Sequence, residues 1–342
     1  QELRRALFEL AVAELDVVAG VKQAAASLWL AGRAEEILQA SQKTAAEVVV
    51  ATRLRYSSGK AVQSDALRAE NAVSEIEQEL TETQRLRTAA RAELAQWLHS
   101  PLDQIASAIP ALPPTPAPDQ LDRLAAIAVA TRPELQSQLA AIQREQTNIE
   151  LARKQFLPDL TLGFTYALMT TRNAQSPTAD GRDNYGLVFG MNLPYNRKKR
   201  IAALHEAQAK AASETFRYEA ERDATLQEVR SLYAEATARV RVLERLRLDL
   251  LPRSRQAWDA AAAEYRAGQV DYTSLGAARR EVLAMELQAA KNEAALAVTL
   301  ATLERAVGAQ WMAAPTDPVS SHIHHPRAAQ QPVPPPHTSA PI

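Results

Sequence analysis

The chain has 342 residues, no cysteine and a formal net charge of −1. The lack of cysteine excludes a disulfide scaffold and thiolate metal sites, and the near-zero charge argues against nucleic acid as the main partner. Only 5% of the residues are aromatic and only 10 are glycine, which is typical of long helices that pack through small side chains.

A short motif occurs twice, 209 residues apart, and interrupts a long alanine-rich helical pattern each time. The copies are Tyr56-Ser57-Ser58-Gly59 and Tyr265-Arg266-Ala267-Gly268. A shorter helical pattern follows each copy, over residues 65–98 and 275–307. Because glycine readily adopts the positive φ that a tight turn requires, each copy predicts the tip of an αα-hairpin. The repeat indicates two copies of one large helical module.

The longest predicted helix spans residues 196–264, which contain one proline, Pro252, and no glycine. A continuous helix of this length would measure on the order of 100 Å. Its apolar or small residues recur in alternating steps of three and four, the spacing of a coiled-coil seam. The seam positions are Leu226, Val229, Tyr233, Ala236, Val240, Leu243 and Leu250. Taken alone, these segments favour a cytosolic coiled coil or a spectrin-like bundle.

Two segments before this helix, residues 159–168 and 185–193, alternate strictly between large apolar and small or polar side chains. The apolar face comprises Leu160, Leu162, Phe164, Tyr166, Leu168, Tyr185, Leu187, Phe189, Met191 and Leu193. Period two over nine or ten residues predicts a hairpin of two strands, each long enough for a tilted transmembrane strand. A soluble hairpin packed on the helices is the alternative. The outward aromatic face favours a lipid-facing hairpin, which needs strands from missing sequence and other subunits to close a barrel.

Several motifs surround these elements in a fixed order. They are Arg132-Pro133-Glu134-Leu135, Phe156-Leu157-Pro158-Asp159-Leu160, Asn192-Leu193-Pro194 with the basic run Arg197-Lys198-Lys199-Arg200, Tyr265 to Leu275 at the second tip, and Leu303-Glu304-Arg305-Ala306-Val307-Gly308. In this order and spacing they make residues 1–308 resemble the TolC-like outer-membrane efflux channel family.

The resemblance implies a mainly α fold with a transmembrane β-hairpin. Duplicated long helical hairpins would form a trimeric α-barrel tunnel, continued by an outer-membrane β-barrel. The expected segments are a first-repeat periplasmic hairpin (1–98), an equatorial connector (99–131), a second-repeat helix (132–157), the transmembrane hairpin (158–194), a second-repeat periplasmic hairpin (195–308) and a disordered Pro/His-rich tail (309–342). By duplication, a first strand pair and about a dozen helical residues are expected before Gln1.

The implied function is that of a passive exit duct in the bacterial outer membrane, extending into the periplasm. Its expected partners are two further copies of the chain, a periplasmic adaptor, an inner-membrane pump of the RND type and outer-membrane lipid. No catalytic constellation and no cofactor motif occurs in the sequence, so an enzyme is not expected. The alternatives are a structural coiled-coil scaffold without a pore and a type I secretion outlet. The cargo (metal cation, drug or protein) stays open.

The resemblance places the entrance gate and the adaptor contacts at the hairpin tips. The candidate residues are Tyr56, Gly59, Asp65, Leu67, Tyr265, Gly268, Asp271 and Leu275. Within this set, a hydrogen bond between Asp65 and Tyr265 is expected to hold the entrance shut, although Val270 replaces an arginine that the family uses in the same latch. The alternative is that these residues only shape the turns.

Two charged or metal-binding features lie outside the tips. The run Arg197–Arg200 is either a solvated helix start or the contact of an external anion such as a lipid headgroup, since cations at a helix N-terminus oppose its dipole. His322, His324 and His325 in the tail are weak candidates for binding a transition metal. A solvated tail with incidental histidines is the simpler interpretation.

Overall fold

A computed structural model describes residues 2–107, 109, 111–112, 120–168, 183–192 and 195–309. The part before the strands contains four α-helices and one 3₁₀ turn: α1 (Glu2–Ser57), α2 (Gln63–Trp97), the 3₁₀ turn Leu102–Gln104, α3 (Leu121–Thr131) and α4 (Pro133–Lys154). The strands and later helices are β1 (Asp159–Ala167), β2 (Asn184–Asn192), α5 (Arg197–Arg245), the π-helical turn Leu246–Leu250, α6 (Leu251–Ala267) and α7 (Tyr272–Val307). The histidine-rich tail lies outside the described residues.

Residues 197–267 form one continuous helical stretch, which confirms the predicted long helix and gives it a length of about 105 Å. The π-helical turn Leu246–Leu250 ends two residues before Pro252, which has no N–H to donate and lies in the first turn of α6. The wider turn shifts the apolar seam. Leu243 and Leu246 are buried, whereas Leu250 is 44% exposed, so its predicted seam position is wrong.

Helix α1 packs along α2 and α7, and small side chains make both contacts close. Ala24 and Leu28 of α1 meet Ala90 and Leu94 of α2 in one buried cluster. A second cluster joins α1 to α7 through Trp29, Ile37, Ala290 and Ala294. Gly20 faces the ring of Trp97, where a Cβ atom would lie only 2.4 Å from a ring carbon. The alanine-rich composition thus has the packing role that the sequence predicts.

The end of α7 is joined tightly to the α3–α4 junction. Thr131 Oγ1 donates to the carbonyl of Val307 at 3.0 Å, and the buried Arg132 donates to Glu228 on α5 at 2.8 Å. Gly308 has φ +74°, and a Cβ atom there would lie 2.9 Å from the Cα of Arg132. The close approach and the positive φ both require glycine at this position. Residues 1–310 form one compact unit.

The two strands pair antiparallel, and their register places the large apolar residues of both strands opposite one another. Leu160 is opposite Met191, and Leu162 is opposite Phe189. Phe164 is opposite Leu187, and Tyr166 opposite Tyr185 has ring centroids 5.2 Å apart. Nine of the ten residues predicted for the apolar face are exposed on this chain, including Leu168 just beyond β1, and the tenth, Leu193, lies outside the described residues. In the described residues, no helix has both the length and the apolar character needed to cross a membrane.

Candidate functional site

Both predicted tips are tight turns at the same end of the helical hairpins. Gly59 has φ +70° and Gly268 has φ +78°, which confirms the positive φ predicted for both. At the second tip, Gly268 ends α6 in the left-handed conformation, and the N–H of Gln269 donates to the carbonyl of Glu264 at 2.9 Å. This is the Schellman arrangement that satisfies the last carbonyls of a helix.

The two tips of one chain pack together around a small core. Ala69, Tyr265, Tyr272 and Leu275 are buried in it, and Val270 lies at its edge. Tyr265 is 4% exposed and Leu275 is 2% exposed. Both residues are among the predicted partner contacts, but in this conformation they are positioned to pack one tip against the other. Burial also raises the pKa of the Tyr272 hydroxyl, so it stays a neutral donor at physiological pH.

The predicted hydrogen bond between Asp65 and Tyr265 is not formed within this chain. The Tyr265 hydroxyl donates instead to Thr52 Oγ1 at 2.9 Å, and the Thr52 hydroxyl donates to the carbonyl of Val48 at 2.8 Å. Asp65 is 8% exposed and lies 4.0 Å from the guanidinium of Arg68 on its own helix. The buried Tyr265 hydroxyl therefore has its hydrogen bond satisfied by Thr52, without the Asp65 carboxylate.

Arg55 joins the two tips and was not identified from the sequence. Its Nη1 donates to the carbonyl of Tyr265 at 2.7 Å and, more weakly, to that of Arg266 at 3.4 Å. The guanidinium also lies over the Tyr265 ring, 4.8 Å from its centroid. These acceptors are terminal carbonyls of α6, where a cation is electrostatically favoured. We call Arg55 and Tyr265 together the tip clamp.

A second polar link between the tips involves Arg68 on α2. Its Nη1 donates to Thr273 Oγ1 at 2.9 Å, and its backbone carbonyl accepts from the Tyr272 hydroxyl at 3.4 Å. The first turn of α7 is thereby tied to the first turns of α2. With the tip clamp and the Tyr265–Thr52 bond, three side-chain links hold the two hairpin ends of one chain in a fixed arrangement.

Asp271 caps the N-terminus of α7. Its carboxylate accepts from the backbone N–H and the hydroxyl of Ser274, both at 3.0 Å. The hydrogen bond from the Ser274 N–H is the main cause that lowers the pKa of Asp271. Asp271 therefore stabilises the helix start, in addition to placing a negative charge at the exposed tip.

The remaining predicted tip residues form an exposed group around the first turn. Tyr56 is 46% exposed and Leu67 is 51% exposed, and Gly59 has no atom within 4 Å of the position that a Cβ would occupy. Val62, between them, is 61% exposed. The predicted tip residues thus divide into a buried set that fixes the tip, Asp65, Tyr265 and Leu275, and an exposed set that can contact another molecule, Tyr56, Gly59, Leu67, Gly268 and Asp271.

Sequence comparison identifies the protein class to which these features belong. The family described as outer membrane efflux protein matches residues 124–309, which is more than half of the chain. The chain belongs to this family. Outer membrane efflux proteins are channel proteins of efflux systems, and the α-helical tunnel and TolC-like character are properties of the family. Comparison with curated protein sequences gives no match.

Solved outer-membrane channels of the efflux family have a similar fold. The outer-membrane channel OprN gives a TM-score of 0.79 at 20% identity, over 91% of this chain and 70% of its own. The outer membrane protein VceC from Vibrio cholerae gives a TM-score of 0.76 at 18% identity, over 90% of this chain and 73% of its own. CusC gives a TM-score of 0.79 at 17% identity, over 90% of this chain and 72% of its own. The CusC structures concern the conformational changes that accompany folding and transmembrane channel formation. These similarities show the mainly helical fold of the efflux family.

Histidine and carboxylate side chains do not form a metal site in the part of the efflux channel chain that the structure describes. His99 and His205 are both exposed and lie far apart in the sequence. The candidate metal residues of the tail, His322, His324 and His325, lie outside the described residues, so the weak metal-binding hypothesis for them stays a prediction.

Proposed function

We propose that three copies of the complete protein form the outer-membrane exit duct of a tripartite efflux system. In this proposal the duct conducts substrates passively from a periplasmic adaptor and an inner-membrane pump of the RND type. The observation that carries it is one chain in which an exposed apolar strand face is followed by a helical stretch about 100 Å long. The first feature suits a bilayer and the second suits a tunnel across the periplasm.

The strand face supports the membrane part of the proposal. Leu162 is 73% exposed and Phe189 is 69% exposed, although they are opposite each other in the hairpin. The other face has Thr161 opposite Gly190 and Thr165 opposite Gly186. A large apolar face paired with a small, partly polar one is the pattern of a barrel wall between lipid and lumen. Because a two-stranded hairpin leaves both edges open, we expect strands from other copies to complete the barrel.

The helical part supports a tunnel built from repeated hairpins. The first hairpin, α1 and α2, packs beside the second, α5 to α7, mainly through the α1–α7 contact. Side by side in three copies, such hairpins would form a closed ring of long helices. A scaffold protein would also contain long helices, but it would not need a hairpin whose aromatic and aliphatic side chains are left exposed.

The tips support an entrance at the end of the tunnel opposite the strands. The buried tip core and the tip clamp hold both hairpin ends of one chain together, so each protomer would contribute a single rigid unit to the entrance. The exposed group at the first turn, Tyr56, Gly59 and Leu67, is then the expected surface for the adaptor or for a neighbouring protomer. An aromatic side chain with a polar hydroxyl is well suited to such a contact.

The proposal is tested on the full-length protein purified in a neutral detergent. Multi-angle light scattering should give the mass of a trimer, and the same material should form discrete conducting channels in planar lipid bilayers. A stable monomer that forms no channel would contradict the exit duct. A trimer without conductance would favour the scaffold alternative.

A further inference from the structure

The junction between the strands and the long helices has an unusual concentration of positive charge. Residues 153–159 and 195–200 contain six basic side chains and a single acid, Asp159, giving this short region a net charge of +5 in a chain whose total is −1. We call the six basic residues the cationic collar: Arg153, Lys154, Arg197, Lys198, Lys199 and Arg200.

The fold brings the two basic stretches to the same end of the helix pair. Helices α4 and α5 lie side by side, and Ala152 of α4 and Gln155 just after it line a shared groove with Ala203 and Ala207 of α5. The strands that follow and precede these helices are paired from Asp159, opposite Asn192. The end of α4 and the start of α5 are therefore neighbours, at the base of the strand face.

The chain's own interactions explain only part of the collar: Arg153 and Lys154 lie in the last turn of α4, where cations complement the helix dipole, but the four cations of α5 have no such role. Across the described residues, none of its six side chains forms an ion pair, whereas the next cations along α5 do: Lys210 pairs with Glu206 at 2.7 Å and Arg217 with Glu214 at 2.9 Å. Nor does the collar stabilise the start of α5, where cations oppose the helix dipole. Asn196 already caps this start by accepting the N–H of Lys199 at 3.3 Å.

The surroundings of the collar indicate what covers it. Tyr195, at the start of the α5 stretch, is 93% exposed, and Leu157, at the end of the α4 stretch, is 65% exposed. The apolar strand face begins immediately beyond, with Leu160 also 65% exposed. An apolar band followed by an exposed tyrosine and then by unpaired lysines and arginines is the order in which a membrane protein meets acyl chains, the interface and headgroups.

We propose that the cationic collar binds the phosphates of anionic phospholipids in the leaflet nearest the long helices. The inference rests on the proposed function, because it requires the strand face to lie in a bilayer. Charge complementarity identifies the ligand: clustered lysines and arginines beside a membrane attract acidic lipids, and each adds to the affinity. Three copies of the collar in a trimer would select acidic lipids as an annulus around the duct.

The test compares two triple variants of the full-length protein with equal loss of charge. The first removes exposed cations of the collar: Arg197→Gln, Lys198→Gln and Lys199→Gln. The control removes three exposed cations lower on the same helix that also have no ion pair among the described residues: Arg230→Gln, Arg241→Gln and Arg245→Gln. Each protein in neutral detergent is first sized by light scattering, then titrated with phosphatidylglycerol or phosphatidylethanolamine while native mass spectrometry counts the bound lipids.

We expect the parent and the control trimers to bind phosphatidylglycerol at least tenfold more tightly than phosphatidylethanolamine, and the collar variant to lose this preference. The preference of the parent should weaken as NaCl is raised, because exposed charges are screened. Equal binding of the two lipids by the parent, or an equal loss in the control, overturns the inference. Displacement of phosphatidylglycerol by millimolar inorganic phosphate overturns the lipid assignment in favour of a soluble-anion site. A monomer in the first step contradicts the proposed function itself, whereas a trimer without lipid preference contradicts this inference alone.

Discussion

Replacing Arg55 by alanine should separate the two hairpin tips of one chain. The substitution removes a charged hydrogen bond of 2.7 Å to the Tyr265 carbonyl and a cation–π contact at 4.8 Å. Such a hydrogen bond contributes about 1.5–3 kcal/mol and such a contact about 0.5–1 kcal/mol. Since Arg55 is only half-buried, the lower ends apply, about 2 kcal/mol in total. This corresponds to a roughly 30-fold increase in the ratio of separated to joined tips.

The distance between the tips can be measured by pulsed electron paramagnetic resonance between spin labels introduced at Ser58 and Gln269, which are exposed at the two turns. The chain has no cysteine, so labels attach only where cysteine is introduced. Arg55→Lys keeps the charge but not the planar fork, and should give an intermediate distribution. Arg53→Ala is the matched control, because Arg53 pairs with Glu70 inside the first hairpin.

A distance distribution in the Arg55→Ala variant identical to those of the parent and of Arg53→Ala would refute the tip clamp. In that case the apolar tip core alone would hold the hairpin ends together. A broadened distribution in both alanine variants would show instead that any loss of charge on α1 loosens the tip.

Three further predictions concern the strands, the turn glycines and the cap. Leu162→Arg should prevent outer-membrane assembly, since a charge at mid-bilayer costs roughly 2–4 kcal/mol, whereas the Thr165→Ala variant should assemble normally. Equal amounts of the two variant proteins in isolated outer membranes would contradict a lipid-facing role for Leu162. Gly268→Ala should lower the melting temperature more than Gly59→Ala. A Cβ atom at position 268 would lie 3.3 Å from a guanidinium nitrogen of Arg55, whereas a Cβ atom at position 59 would have no atom within 4 Å. Equal decreases in melting temperature would contradict this difference. Because the pKa of Asp271 is lowered, its cap stabilises α7 fully at pH values above the ordinary carboxyl pKa of about 4. This stabilisation is lost as the pH falls below that value and the Asp271 carboxylate becomes protonated. Hydrogen-exchange protection in the first turn of α7 should accordingly decrease on acidification in the parent but not in Asp271→Asn, and identical pH profiles would count against the cap.

The sequence predicted the long helices, the two strands and the tip turns because each depends on local periodicity, whereas α3 lies in a segment predicted only as a connector. The apolar alternation around Leu162 and Phe189 defines the apolar face of each strand, and a glycine three residues after a tyrosine marks each turn. These signals arise within about ten residues of one another. The division into long and short helices was predictable for the same reason.

The contacts that join the tips were not predictable in this way. Arg55 is recognisable as a cation in the last turn of a helix, but its acceptors lie 210 residues away and are backbone carbonyls with no sequence signature. The partner of Tyr265 was assigned to Asp65, a residue with more obvious chemistry than Thr52. Side-chain type showed which groups can pair, whereas only the packing of α1 against the second tip determined which of them do.

The π-helical turn has a consequence for the symmetry of an assembled ring. Helix α1 continues from Glu2 to Ser57 as a regular α-helix, whereas its counterpart in the second repeat contains the wider turn Leu246–Leu250. The two hairpins of one chain therefore approach their tips with different rotational phases about their own axes. A ring of three such chains has six hairpins, but they are of two alternating kinds. In the proposed trimer the tip end would be threefold rather than sixfold, and it would present two distinct grooves, one within and one between chains.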